Sequence, residues 1–313
     1  MKPVLFSFLI MSILGSAPCS AAVRNYLGRD HFAIKAGEEV RVDVLDLDLV
    51  ARGAGVAILR CTTDIKISGA GSEKADAWIA AHTPEFTDSE ERLSIQLLPQ
   101  KTGFLGLGTL SQRRRMQLVL PLESIPDLTT SSGSIEISGD FALADPLRLR
   151  SGDGKINFSG AATSLEIRST SGTSTIQVVR PLKKLWLRTA SGDINFKGGA
   201  EDVHIETASG AIRLHGLLAD TSVETVSGAI ELQWDSLPAD AKLKIRSASG
   251  DIRIYLPPAA EPAGSLATST GELHSEFSGQ ASAEGDTIQL DGKGPALEIE
   301  SASGDIFLLR DPE

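Results

Sequence analysis

Cysteine is nearly absent from this chain, with only Cys19 and Cys61 among 313 residues. A disulfide framework is therefore excluded as the source of stability, which must come from packing. Aromatic residues make up 5% and the formal net charge is −11. That balance excludes nucleic acid as a partner, since nucleic-acid binding needs a basic face. Five histidines are present: His31, His82, His204, His215 and His274. They show no His-x-x-x-His spacing and no cysteine pair to join them, so they predict surface positions, not a metal centre. Long apolar runs are also missing. The main one, Val4 to Leu14, follows Lys2, is too short to span a bilayer, and ends in Ser20-Ala21-Ala22. Residues 1–22 read as a secretory signal peptide, which implies export to the periplasm or cell surface. Pro18 and Ser16 fit a lipoprotein signal badly, so anchoring through Cys19 is not expected. No transmembrane segment is expected after cleavage, which would leave Cys61 as a lone buried apolar residue.

What the chain has in abundance is one phrase. Thr-Ala-Ser-Gly-Asp ends at Asp193, Thr-Ala-Ser-Gly-Ala at Ala211, Thr-Val-Ser-Gly-Ala at Ala229, and Ser-Ala-Ser-Gly-Asp at both Asp251 and Asp305. Looser copies surround Gly133, Gly152, Gly172 and Gly271. Each copy sits between short stretches of strict alternation. Leu185 and Leu187 precede one corner and Ile194 and Phe196 follow it; Leu243 and Ile245 precede another, with Ile252 and Ile254 after it. Alternation with period two marks a strand with one buried face. Glycine flanked by Ser, Thr or Ala marks a bend. The corner glycines are Gly133, Gly172, Gly192, Gly210, Gly228, Gly250, Gly271 and Gly304.

A unit of two short strands and two corners cannot bury its apolar stripe alone, but it can when stacked on its neighbours. The expected fold is all-β: a parallel β-solenoid with roughly 18–22 residues per coil, following a β-rich lead-in. Residues 122–313 carry the repeats. Residues 23–121 read as an irregular cap over the first coil, or as a lead-in with early coils of its own, with strands at Glu39–Leu49, Val56–Ile67 (as two strands), Leu93–Leu98 and Met116–Leu120, and a helix at Glu73–Ala81. Only Arg310-Asp311-Pro312-Glu313 follows the final repeat. Either those residues blunt an open edge or a second molecule covers it, which would make end-to-end self-association part of the function.

Few positions offer chemistry. The serines before the corner glycines (Ser191, Ser209, Ser227, Ser249, Ser303) lack a partnered base and read as corner hydroxyls laddering between coils. After the glycine, the late coils carry Asp251, Glu272, Asp286 and Asp305. If stacked in register, these carboxylates form an acidic column with the hard oxygen ligands that suit Ca²⁺. The competing expectation is ordinary turn chemistry, with Asp286 a residue out of step. Arg113-Arg114-Arg115, after the apolar Gly103–Gly108 stretch, reads as a solvated hairpin tip, the alternative being a flexible loop that touches anionic lipid or polysaccharide. Trp186, Trp234 and Tyr255 are the large polar-tipped aromatics of the repeats.

Leu118-Val119-Leu120-Pro121, then Leu128-Thr129-Thr130-Ser131-Ser132-Gly133-Ser134-Ile135-Glu136-Ile137, then repeated Ser-Gly-Asp-Ile units, resemble the bacterial exported "putative adhesin" domain family, a family of unknown function related to autotransporter adhesin heads. The resemblance spans most of Leu27 to Arg310. It implies a right-handed β-helix, and it brings no catalytic residue and no cofactor. Together these observations point to a non-enzymatic exported scaffold that contacts an envelope protein or glycan. The alternative is a carbohydrate-active β-helix, a polysaccharide lyase or hydrolase, which needs clustered acids beside aromatic platforms.

Overall fold

The computed structural model describes residues 22–70, 72–97, 111–141 and 146–311, and the expected signal peptide lies almost wholly outside them. The fold is all-β, with one helix among the described residues. The described residues fall into two compact units, those within 1–143 and 149–154 and those within 144–148 and 155–313.

The first unit contains β1 (Ala22–Ala33), β2 (Glu39–Val44), β3 (Asp48–Ala54), β4 (Ile58–Ala70), α1 (Ser72–Ala81), β5 (Glu85–Asp88), β6 (Arg92–Gln96), β7 (Ser111–Pro121), β8 (Ile125–Thr130) and β9 (Ile135–Phe141). The expected strand Glu39–Leu49 is broken at Leu45–Leu47 into β2 and β3, while Val56–Ile67 forms the single strand β4. The lead-in is built of coils like those that follow. β2 pairs in parallel with both β6 and β8, and β3 with both β7 and β9. Val42 faces Ile95 on one side and Leu128 on the other, and all three are sealed from solvent. The coil β2–β3 is thus inserted between two coils that come later in the chain. Antiparallel strands close the outer side: β5 on β6, β4 on β7, and β1 on β4. Such cover blunts parallel edges that would otherwise recruit other chains.

Arg113, Arg114 and Arg115 lie within β7, opposite Lys66, Ile65 and Asp64 of β4. The hairpin tip expected there is corrected to a paired strand. The cause is local: Arg114 pairs with Asp46 and stacks over the Trp78 ring at 5.2 Å, which holds the segment extended. Trp78 in turn stacks on His82 at 3.7 Å, and burial pushes the His82 imidazole below its usual range. Ala75 of α1 is sealed against Ile67 of β4. Residues 98–110, with the apolar Gly103–Gly108 stretch, lie outside the described residues.

β10 (Leu147–Ser151) divides between the units. The second unit continues with β11 (Ile156–Ala162), β12 (Ser164–Ser169), β13 (Ser174–Val178), β14 (Leu182–Thr189), β15 (Ile194–Ser209), β16 (Ile212–Ser227), β17 (Ile230–Trp234), β18 (Lys242–Ser249) and β19 (Ile252–Leu256). It ends with β20 (Ala263–Thr270), β21 (Leu273–Ser275), β22 (Gly279–Ala281), β23 (Thr287–Asp291), β24 (Ala296–Ser303) and β25 (Ile306–Arg310).

Its parallel register follows the repeat. Leu165, Leu185, Val203, Thr221 and Leu243 stand in one column, and Ile176, Phe196, Leu214, Leu232 and Ile254 in another. All are buried. Each fully buried aliphatic contributes about 1.5–3 kcal/mol, and repetition makes the core continuous. Trp234 ends β17 fully buried, its indole N–H donating to the Ala219 carbonyl at 3.1 Å.

Coil order departs from chain order a second time. β18 pairs with β24, β19 with β25, β24 with β20, and β25 with β21. The last coil of the sequence is therefore the penultimate coil of the stack, and the expected open edge at Ile306–Leu309 is covered by β21. Beyond β20 the hairpin β22–β23 pairs antiparallel. β21 is only three residues long, with Glu272 and Glu276 at its flanks and the polar Ser275 in register with Leu308. Short, charged edge strands discourage pairing between molecules.

Candidate functional site

The corner phrase is where sequence and geometry agree most closely. Seven of its eight expected glycines form one column, ordered 172, 192, 210, 228, 250, 304 and 271; Gly133 belongs to the first unit, where a Cβ on Gly154 would meet its carbonyl oxygen at 1.9 Å. A Cβ on Gly210 would lie 2.4 Å from the Gly192 carbonyl oxygen, and one on Gly228 would lie 2.2 Å from that of Gly210. Gly210 also has φ of +115°, outside the range other residues adopt readily.

The buried hydroxyl of the phrase belongs to its first residue, not to the serine before the glycine. Thr189, Thr207, Thr225 and Ser247 donate to the carbonyls of Ser191, Ser209, Ser227 and Ser249 at 2.9, 3.0, 3.1 and 3.0 Å. Each is a turn bond inside its own coil. Of the pre-glycine serines, Ser191 and Ser227 reach carbonyls of the preceding coil at 3.5 and 3.4 Å. The remaining three make no side-chain ladder bond among the described residues. Ser301 occupies the buried position of its coil, yet its hydroxyl lacks a hydrogen-bond partner.

The carboxylates after the glycine are used by the backbone. Asp193 Oδ1 accepts the Ala211 N–H at 2.9 Å, Asp251 Oδ1 the Asp305 N–H at 3.3 Å, and Asp305 Oδ1 the Glu272 N–H at 2.8 Å. Asp251 Oδ2 also takes Arg253 Nη2 at 3.1 Å. Three of the four expected acidic residues, Asp251, Asp305 and Glu272, thus share a column. Asp286 sits apart in the β22–β23 turn, where it accepts the Ser282 hydroxyl at 2.7 Å. Among the described residues, no group of three or more His, Cys, Asp or Glu side chains is placed to hold a metal ion. Cys61 is buried, and desolvation pushes its thiol up to about 12.

The outer faces carry in-register columns of polar side chains. In one, Arg168 lies over the Trp186 ring at 4.8 Å and His204 stacks on the far side, with centroids 6.4 Å apart and planes at 17°. Trp186 is thus flanked by Arg168 and His204 of neighbouring coils. His204 bonds Glu206 at 2.9 Å, and that bond holds the Glu206 carboxyl below its usual range. His215, on the other outer face, bonds Gln233 at 2.7 Å.

A concavity of about 910 Å³ follows the corner across several coils of the second unit. Glu206, Glu224, Arg246 and Glu300 line it, with Val226, Ala248 and Ala302 beside them and Asp286 opposite. Val226 is 60% exposed. Sequence inspection missed this groove, because its members share a column only once the register is known.

Family membership is decided by the whole repeat and not by local chemistry. Residues 60–309 match the model of the family described as Toastrack DUF4097. The chain belongs to the Toastrack DUF4097 family. That family's fold is β-solenoid-like, in agreement with the parallel register above. No curated protein matches this Toastrack chain. Similar solved structures include a "putative lipid binding protein" from Parabacteroides distasonis ATCC 8503, at 14% identity and TM-score 0.39, covering 94% of this chain and 98% of that one. Another is a "putative adhesin" from Bacteroides fragilis NCTC 9343, at 12% identity and TM-score 0.35, covering 90% and 97%. No helix among the described residues is long and apolar enough to cross a membrane.

Proposed function

We propose that this Toastrack protein is a non-enzymatic, exported envelope or surface scaffold: a right-handed solenoid whose outer faces contact a protein or glycan partner. One observation carries the reading. The polar residues of the corner phrase serve the backbone: the hydroxyls of Thr189, Thr207, Thr225 and Ser247 bond their own turns, and the carboxylates of Asp193, Asp251 and Asp305 accept amides of the neighbouring coil. A catalytic acid or base must instead keep its lone pair or proton free for substrate. In this reading Asp251 and Asp305 are backbone partners and not Ca²⁺ ligands. The outward columns are tied across coils by pairs such as Arg188–Glu206 at 3.4 Å and Arg246–Glu300 at 3.0 Å, which fit a preformed contact surface.

Two measurements test it. Fusing residues 1–22 to a reporter that works only outside the cytoplasm should give activity, and a silent fusion overturns export. A panel of polyuronates and neutral glycans, followed by absorbance of unsaturated products and by reducing ends, should stay unchanged. Turnover that disappears in Asp251→Ala or Glu272→Ala would replace the scaffold by a carbohydrate-active enzyme.

A further inference from the structure

We propose that the corner groove of the second unit, centred on Glu206, Glu224 and Val226, docks a lysine-bearing extended segment of a partner protein. The inference rests on the scaffold reading and gives its contact surface a place and a chemistry. Glu206 and Glu224 are direct register partners on parallel strands, so their carboxylates stand about one strand spacing, ~4.8 Å, apart. Like charges placed directly opposite are unfavourable, and this pair is only partly compensated. Glu206 has Arg188 and His204 beside it. Glu224 faces Arg246 in register, but that guanidinium is turned toward Glu298 and Glu300 on the next coil. Arg246 thus serves Glu298 and Glu300, with Lys244 also opposite Glu298, and the side of Glu224 facing Glu206 favours another positive charge.

The floor beside that space decides which cation fits. Val226 is 60% exposed, and Ala248 and Ala302 continue the strip of small apolar side chains along the groove. A lysine is matched to this pairing: its methylene stem lies on Val226 while its ammonium sits between the two glutamates. A bare divalent ion gains nothing from an apolar floor, and it wants a convergent oxygen cage. A polyanionic glycan is repelled by the carboxylates. A neutral sugar needs an open aromatic face, and no aromatic residue lines this groove. The groove of about 910 Å³, lined also by Asp286 and Thr287, has room for several residues of extended chain.

The test uses the purified protein and two fluorescein-labelled decapeptides, (Lys-Ala)₅ and (Glu-Ala)₅, followed by fluorescence anisotropy at low salt. The lysine peptide should bind and the glutamate peptide should not, with affinity falling as salt rises. The double variant Glu206→Gln, Glu224→Gln should weaken binding about fivefold or more, the scale expected for two lost surface charge pairs. Glu201→Gln, Asp240→Asn removes the same charge elsewhere on this unit and should leave affinity unchanged. Val226→Ser should weaken binding with no change of charge. Glutamine keeps a hydrogen-bonding side chain at both positions, and a cooperative thermal melt of the double variant close to that of wild type excludes unfolding as the cause of lost binding. Equal weakening by both double variants would mean that the peptide senses only the overall charge of −11, and the site would be refuted. Absence of binding to (Lys-Ala)₅ would refute it as well. Either failure leaves the scaffold reading standing, because that reading falls on export or on glycan turnover.

Discussion

Replacing Gly210 by alanine isolates what the corner column demands. Two costs add at this position. Its φ of +115° strains any side chain by about 1–3 kcal/mol. The new Cβ would also meet the Gly192 oxygen at 2.4 Å, an overlap of the kind that overpacking charges at about 1–3 kcal/mol more. Gly285 in the same unit separates the two, since it has φ of +78° but nothing within 4 Å of where a methyl group would stand. Gly285→Ala should therefore cost about 1 kcal/mol and Gly210→Ala about 4 kcal/mol. Urea unfolding followed by far-ultraviolet circular dichroism reads both, with the slope checked for constancy across variants. If Gly210→Ala unfolds within about 0.5 kcal/mol of Gly285→Ala, close stacking of the corners is not what requires glycine, and the account of the repeat is wrong.

Other outcomes follow from the same geometry. Thr225→Val removes the 3.1 Å bond to Ser227 and should cost about 1–2 kcal/mol, whereas Ser301→Ala removes an unbonded buried hydroxyl and should be neutral or stabilising by up to about 1 kcal/mol, both measured by urea unfolding. Native-state hydrogen exchange should find the amides of β24, close to the carboxyl end of the chain, protected as strongly as those of β18, while β22 exchanges first. The Cys61 thiol should resist Ellman's reagent in the native protein at pH 8 and react fully in denaturant. Because its folded value is raised from 9.0 to about 12, its contribution to stability is fully present below pH 9 and lost as pH rises toward 12, which alkaline unfolding curves will detect.

Much of the fold was legible in the chain. The alternation around Leu185–Phe196 and its echoes marks strands, faces and corners, because period two and a corner glycine are local properties that no distant contact overrides. Coil order was not legible. Parallel pairing is decided by which coil is next in space, and β20–β21 and β24–β25 compete for β18–β19 with the same apolar alternation. One signal was available: the two identical Ser-Ala-Ser-Gly-Asp phrases, at 247–251 and 301–305, belong to coils that touch, while the looser Ser-Thr-Gly-Glu phrase at 269–272 belongs to the outer coil. The lead-in looked irregular for the same reason, since β2–β3 is flanked by strands that lie far ahead in sequence. Arg113–Arg115 was misplaced because a charge run resembles a solvated loop unless its partners Asp46 and Trp78 are known. The Glu206–Glu224–Val226 groove was invisible for a further reason: each coil contributes only one or two residues to it.

The insertion of β24–β25 beneath β20–β21 also limits how such a chain can lengthen over evolutionary time. A duplicated coil added after Arg310 would have no free neighbour to stack on, because both sides of that coil are already occupied. Nor does the amino-terminal end accept one simply, since β2–β3 is occupied on both sides as well. Between β12 and β17 each coil lies directly against the next in sequence, so an extra copy of the phrase there raises the stack by one layer and disturbs neither closure. In the second unit growth by repetition is confined to these coils, and its carboxyl-terminal closure behaves as a fixed fitting made once.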